Sequence, residues 1–257
     1  MMALKQRLGQ SAPLFGLFCS TPAALTVELI AAAGYDFTII DLEHTLIGPD
    51  QLAAMLTAAR ACGVSALVRV AAPYQAMQAL DNGAEGVVFP RIRSAQQAQE
   101  VVRACHYAPR GERGLNSTWH SAYGREDLAA SMDIMTRETL VVAMVEDTEG
   151  LAQAEAIAGV DGIDVLMEGA ADLSQSLGLP WQTRHPRVRA AVGVIQRAAA
   201  ARGKAFCCLP RAREDFDAAI REQIKLFILG DERGLCRRAM ATHLAQHKPG
   251  FGQDERS

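Results

Sequence analysis

Eight short apolar runs separated by Ala-rich stretches constrain the fold of this 257-residue chain more than any other feature. The runs are LFGLFC (14–19), FTIID (37–41), ALVRV (66–70), GVVFP (86–90), LVVAMVE (140–146), IDVLM (163–167), AFCCL (205–209) and LFILG (226–230). Near-continuous apolar segments of this length suit parallel strands covered on both faces. The stretches between them, such as PAALTVELIAAAG, DQLAAMLTAARACG and SAQQAQEVVRAC, carry polar residues at helical spacing and open on Pro, Asp or Ser. Gly34, Gly63, Gly83 and Gly203 stand just before predicted strands, where helix C-termini call for glycine. Eight strand-helix units predict a (β/α)8 TIM barrel, one domain over 1–257 with a polar tail from about 249. A doubly wound sheet uses the same elements, but no G-x-G-x-x-G or Walker-type loop follows the first strand. Two inter-strand gaps, 91–139 and 168–204, are long, and neither reads as a Pro/Ser/Gly linker.

Composition removes several function classes. With 26 basic and 29 acidic residues, the chain has no electrostatic footprint for nucleic acid or an anionic membrane. No apolar run reaches the roughly 18–20 residues of a membrane span, and the first residues lack a sustained apolar signal-peptide core. Six cysteines without a C-x-x-C pair read as reduced thiols, mostly buried, and not as a disulfide frame or zinc site. The expectation is a soluble cytoplasmic enzyme with small-molecule substrates.

In a barrel of this kind the chemistry sits where the strands end. There the chain places Asp41-Leu42-Glu43-His44, Arg69, Pro90-Arg91, Glu146-Asp147, Glu168 to Asp172, Pro210-Arg211 and Asp231-Glu232-Arg233. Arg69 offers a fork for a carboxylate and an adjacent carbonyl oxygen. Glu146 and Asp172, on neighbouring strand exits, suit one divalent cation completed by water and substrate, or a pair that shares protons. His44, with Asp41 or Glu43 to tune it, suits acid-base work. The small residues Gly169, Ala170 and Ala171 admit close backbone approach to a substrate carboxylate.

The ordered motifs IIDLEH, LVRV with Arg69, GAEGVVFPRI, VEDTEG and GAADLSQSLG resemble those of the HpcH/HpaI aldolase family, within the phosphoenolpyruvate/pyruvate group of barrels. The resemblance covers roughly 14–240. It implies Glu146 and Asp172 at metal-ligand positions, Arg69 as the ketoacid-binding arginine and His44 as the catalytic histidine. Asp81, in ALDNGA, falls where a neighbouring subunit supplies an aspartate that supports the histidine. Substrate contacts are implied for Arg69, Gly169, Ala170, Ala171 and Asp172. The chain departs from the aldolases at Met144-Val145-Glu146, where they show Q-x-E, and at Glu168-Gly169-Ala170-Ala171-Asp172, where they show G-P-x-D-L-S. The first exchange removes a polar orienting group; the second is expected to add a third acid near the pair.

EGAADLSQSLGLPWQTR, CCLPR and FILGDERG are closer to a subgroup of aldolase-fold citrate synthases that serve siderophore biosynthesis, of the staphyloferrin B type. That resemblance implies condensation of acetyl-CoA with oxaloacetate and no required cofactor. Glu146 or Asp172 would be the base, and His44 would polarise a carbonyl or shuttle the proton. The alternative is a class II aldolase acting on pyruvate and an aldehyde, with Mg2+ or Mn2+ at Glu146 and Asp172. A catalytically silent binding or scaffold barrel is the third reading, and the intact acid, arginine and histidine set opposes it. The family resemblance also implies a homo-oligomer, with Leu235–Gln246 as a packing segment. Arg113, Trp119 and His120 lie in a long loop that follows a helix and so begins on the wrong face. Trp181 to Arg184 lie on the correct face, near the pocket or the CoA. Cys207 and Cys208 read as strand packing and His185-Pro186 as a helix start.

Overall fold

Parallel pairing runs from each strand to the next, and the eighth pairs the first, closing a barrel in the computed structural model, which describes residues 2–248. The tail expected from about 249 lies outside the described residues. The strands are β1 (Leu14–Cys19), β2 (Phe37–Asp41), β3 (Ser65–Arg69), β4 (Gly86–Phe89), β5 (Leu140–Val145), β6 (Val165–Glu168), β7 (Ala205–Cys208) and β8 (Leu226–Asp231). Around them lie α1 (Leu4–Arg7), α2 (Ala24–Ala32), α3 (Pro49–Cys62), α4 (Gln75–Asp81), α5 (Ala95–Cys105), α6 (Leu128–Glu138), α7 (Thr148–Ala152), α8 (Ala154–Ala158), α9 (Ala170–Ser176), α10 (Pro186–Ala201), α11 (Arg213–Arg221) and α12 (Glu232–His247). The two long gaps hold α5, a 3-10 turn (Trp119–Gly124) and α6, and then α9 and α10. Gly34, Gly63, Gly83 and Gly203 all take positive φ before their strands, as expected. Most strands match the apolar runs to within a residue. β6 instead starts at Val165 and continues through Glu168, because Asp164 is an anchor at the barrel floor: its carboxylate accepts Val141 N–H (2.9 Å) and Lys5 Nζ (2.9 Å). Among the described residues no helix is long and apolar enough to cross a membrane, and all six cysteines are free thiols, four of them buried.

Strand alternation divides the core in two. Inward side chains, among them Phe37, Ile39, Leu67, Val142, Met167 and Ile228, fill the barrel, and Leu4 of α1 plugs its lower end. Outward side chains such as Ile40, Val68, Val145 and Leu166 pack under the helices. Cys207 belongs to the inner set and Cys208 to the outer, so the pair is strand packing, as expected. The same parity turns Glu168 outward. Its Oε1 accepts Leu209 N–H (2.9 Å) between β6 and β7, so it is not the third acid beside Glu146 that the sequence suggested. Filling the barrel with Phe37 requires Gly16 on the neighbouring strand, since a Cβ there would fall inside the phenyl ring.

Two predictions follow from this core. Gly16→Ala overpacks the barrel and costs about 1–3 kcal/mol, and adding Phe37→Leu restores part of it; urea midpoints of the three proteins check this. Glu168 is 4% exposed, and burial pushes its carboxyl above the usual carboxylate range, opposed by the Leu209 N–H bond. The native state therefore binds this proton more tightly than the unfolded chain, and stability falls as pH rises above the ordinary carboxylate value. Glu168→Gln keeps an acceptor for Leu209 without the charge, so its stability relative to wild type rises as pH climbs above the ordinary carboxylate value. A pH-independent difference between the two unfolding midpoints would show that the charge is not what burial penalises.

Candidate active site

Side by side in the β2–β3 register, Asp41 and Arg69 end their strands on the inner face. Both are buried, and the carboxylate takes Arg69 Nε (2.9 Å) and Nη2 (2.8 Å) bidentately. The guanidinium lies over the Phe18 ring, 4.7 Å from its centroid. Arg69 was expected to fork onto substrate, but Asp41 already holds its Nε edge. What remains for a ligand is the Nη1/Nη2 end, by the count of guanidinium hydrogens. Asp41 Oδ1 also accepts the N–H groups of Glu43 (3.0 Å) and His44 (3.4 Å), and its carbonyl accepts the Thr45 hydroxyl, so it builds the turn after β2.

That turn presents Glu43, which links three cations or potential cations. Its Oε2 pairs with Arg69 Nη1 (3.3 Å) and approaches His44 Nε2 (3.7 Å), and its Oε1 pairs with Arg91 Nη2 (3.1 Å). The Oε2 contacts lack hydrogen-bond geometry, which leaves this buried oxygen unsatisfied. Of the two acids expected to tune His44, Glu43 is the one beside the imidazole, and Asp41 is committed to Arg69. The His44 side chain is 55% exposed at the mouth of the barrel.

Glu146 follows β5 on the same inner face and is buried. Its Oε1 accepts Arg91 N–H (2.8 Å), while Oε2 has no partner. Burial pushes its carboxyl up to about 7; the Arg91 N–H opposes this, the charges of Glu43 and Asp172 add to it, and Arg69 opposes it. Gly169 faces Oε2 closely, and a Cβ there would collide with it. Met144, the departure from Q-x-E, is buried on the inner face and supplies only a thioether beside this acid. Asp172 stands exposed in the first turn of α9. Gly169 donates its N–H to Val145 O (3.2 Å), so Ala170, Ala171 and Asp172 are the members of the 169–172 segment with first-turn N–H groups at this face.

Three other acids at the strand exits hold the backbone. Asp147 and Asp231 cap α7 and α12 by accepting Gly150 N–H (2.8 Å) and Gly234 N–H (2.7 Å), and Glu232 accepts Ser20 and Thr21 N–H groups. Asp81, expected to act from a neighbouring subunit, ends α4 away from its own chain's site and pairs with the buried Arg113 (2.6 Å). Trp119 and His120 line a cavity of about 340 Å³ with Arg60 and Gly83, remote from Glu146. There burial, with Arg113 adding, lowers the His120 imidazole to about 4. Trp181 stands fully in the open on the loop after α9, and His185 caps α10. The sequence left Glu43 and Arg91 without a joint role. The available signal was the D-x-E spacing, which puts Asp41 and Glu43 on one side of the strand exit.

The sequence profile of the HpcH/HpaI aldolase/citrate lyase family matches residues 14–239. A hydroxypyruvate/pyruvate aldolase of Roseobacter denitrificans is 34% identical over 190 residues, 73% of this chain and 74% of its own. The crystal structure of the citrate synthase SbnG is similar at 39% identity and a TM-score of 0.89, covering 96% of this chain and 97% of that one. One expectation is overturned by such relatives. A reaction with no required metal conflicts with the pyruvate aldolases and with the protein CitE of Mycobacterium tuberculosis, a barrel in complex with magnesium and pyruvate (22% identity, TM-score 0.59, 86% of each chain). The residues here fit a divalent cation. Glu146 Oε2 is a buried oxygen without a partner, and the Asp172 charge is near enough to raise the Glu146 carboxyl. Among the described residues no group of three or more His, Cys, Asp or Glu forms a protein-only cage, so substrate and water would complete the shell, as Mg2+ commonly requires. By the extent and order of its match, the chain belongs to the HpcH/HpaI aldolase/citrate lyase family.

Proposed function

We propose that this enzyme adds the enolate of acetyl-CoA to oxaloacetate and, with water, releases citrate and CoA. The supply of citrate to siderophore biosynthesis belongs to the same reading. The observation that carries it is the likeness to a citrate synthase along nearly the whole chain, at higher identity than the aldolase relative shows over three quarters of it. A divalent cation held by Glu146 Oε2 and Asp172 would polarise the carbonyl of a bound 2-oxoacid. The Nη1/Nη2 end of Arg69, which Glu43 contacts only as an ion pair, orients a carboxylate of oxaloacetate and stabilises charge on the reacting oxygen. His44 takes the methyl proton and returns it, and the Glu43 carboxylate at 3.7 Å stabilises the imidazolium between those events. The walls around this centre are the apolar Met144, Phe18 and Leu209, which exclude water from the enolate.

A second reading has its own support in the Roseobacter relative: aldol addition of a pyruvate enolate to an aldehyde, with the same residues in the same roles. Thiol release from acetyl-CoA separates the two. The expected result is CoA release that depends on oxaloacetate, is lost on chelation and returns with Mg2+ or Mn2+. Cleavage of a 4-hydroxy-2-oxoacid without thiol release would identify the aldolase, and inactivity in both assays would leave a binding protein. Arg69→Ala should lower kcat/KM by more than 100-fold, about 3 kcal/mol, in whichever reaction operates. An active Arg69→Ala variant refutes the assignment of Arg69.

We further propose a homo-oligomer. α12 is anchored at its start through Asp231 and Glu232 but buries none of its residues, and Met240 (66% exposed) and Leu244 (50% exposed) form an apolar i, i+4 pair. Light scattering should give a mass that is a multiple of 27.6 kDa, reduced by Met240→Glu with Leu244→Glu. A wild-type monomer at micromolar concentration would overturn this.

A further inference from the structure

Arg91 holds a backbone conformation that L-residues other than Asn and Asp rarely adopt, with φ +54. The cause lies in the β4–β5 ladder. Phe89 pairs with Ala143, and the next ladder bond runs from Ile92 N–H to Met144 O (3.0 Å). In a regular ladder that carbonyl would accept Arg91 N–H, so the Pro90–Arg91 segment holds one extra residue on the β4 side, and both ends of this excursion are fixed by buried neighbours, Phe89 and Ile92. Pro90 has no N–H to place. Arg91 has one, and the left-handed turn directs it inward to Glu146 Oε1 (2.8 Å). The side chain leaves in the other direction, 56% exposed, and its Nη2 reaches Glu43 Oε1 (3.1 Å). One residue thus holds two acids by two different groups. The N–H occupies one oxygen of Glu146 and leaves Oε2 without a partner, enclosed against Gly169, and the guanidinium holds Glu43 beside Arg69 and His44.

We propose that Arg91 is a positioning residue whose left-handed backbone presents Glu146 to the site through Oε2 alone, while its guanidinium keeps Glu43 on the Arg69–His44 side. The inference rests on the proposed use of Glu146 as a one-oxygen donor, and it assigns the orientation of that donor to a strained peptide. Backbone and side-chain parts are separable by substitution. Glycine adopts positive φ without strain and keeps the N–H, alanine keeps the strain without the tether, and lysine keeps a positive charge.

The test is Mn2+ binding to the metal-free full-length protein by calorimetry, with melting temperature and steady-state kinetics alongside. Arg91→Gly should bind Mn2+ within about twofold of wild type, and Arg91→Ala about tenfold more weakly, the usual scale for a group that orients a ligand. Arg91→Gly should also melt above Arg91→Ala. Both should lose kcat with little change in KM for the 2-oxoacid, and Arg91→Lys should recover part of kcat. Equal Mn2+ affinity in all variants, or a glycine variant as weak as the alanine one, overturns the inference while leaving the cation site intact. A wild-type chain that takes up no Mn2+ removes the cation from Glu146 and overturns both.

Discussion

A guanidinium enclosed at the mouth of a barrel is tolerated only with a carboxylate against it, and the Arg69–Asp41 pair is the interaction on which the rest of this face depends. The pair arises from register: parallel β2 and β3 align so that their last residues are partners. Asp41 then does more than neutralise. By accepting the N–H groups two and three residues on, those of Glu43 and His44, it bends the segment after β2, and that bend brings Glu43 beside Arg69 and His44. Without Asp41 the site would lose the partner of its buried cation and the turn that carries Glu43 and His44. Such a pair contributes little net stability against an apolar substitute, so its justification is geometric.

The acids around this pair are sorted by the alternation of the strands. Glu146 continues β5 on the inner face, and Glu168 closes β6 on the outer face, although the two strands are neighbours and Val145 pairs with Glu168 in register. Burial raises both carboxyls, but of the two only Glu146 keeps a buried oxygen without a partner on the inner face. Glu168 instead ties β6 to the start of the loop after β7. Two residues of the same type and similar burial therefore differ in role by one step of strand parity.

The barrel itself was legible because its signal is repeated: each apolar run and each glycine before it says the same thing, and an error at one strand does not spread. β6 shows such an error, since Ile163 extends the apolar run across Asp164, whose carboxylate serves the floor. At the site, residue types were legible and their partners were not. Arg69, Asp41 and Glu146 are conspicuous as charges at strand ends, but which oxygen meets which nitrogen depends on register and parity across strands far apart in sequence. Asp147 and Asp231 were readable as caps, since DTEG and DERG both place a glycine N–H three residues on, the usual N-cap reach. The positive φ of Arg91 was not readable, because the strain comes from a mismatch between β4 and β5 and not from any preference of arginine.

That mismatch also bears on Met144. A glutamine in its place would offer an amide to orient the acid two residues on, and a thioether offers almost none. Glu146 still holds a defined orientation here, because a peptide N–H from the neighbouring strand exit does the orienting and Gly169, lacking a Cβ, makes room for the carboxylate on the other side. A backbone donor fixed at both ends by buried residues is stiffer than a side-chain amide, and it adds no polar group to the cavity wall. The inner wall beside the acids can then be apolar, which suits the proposed enolate, since it must meet a carbonyl before it meets water. The strained peptide and the apolar wall are in this sense one arrangement: the first makes the second compatible with an oriented carboxylate.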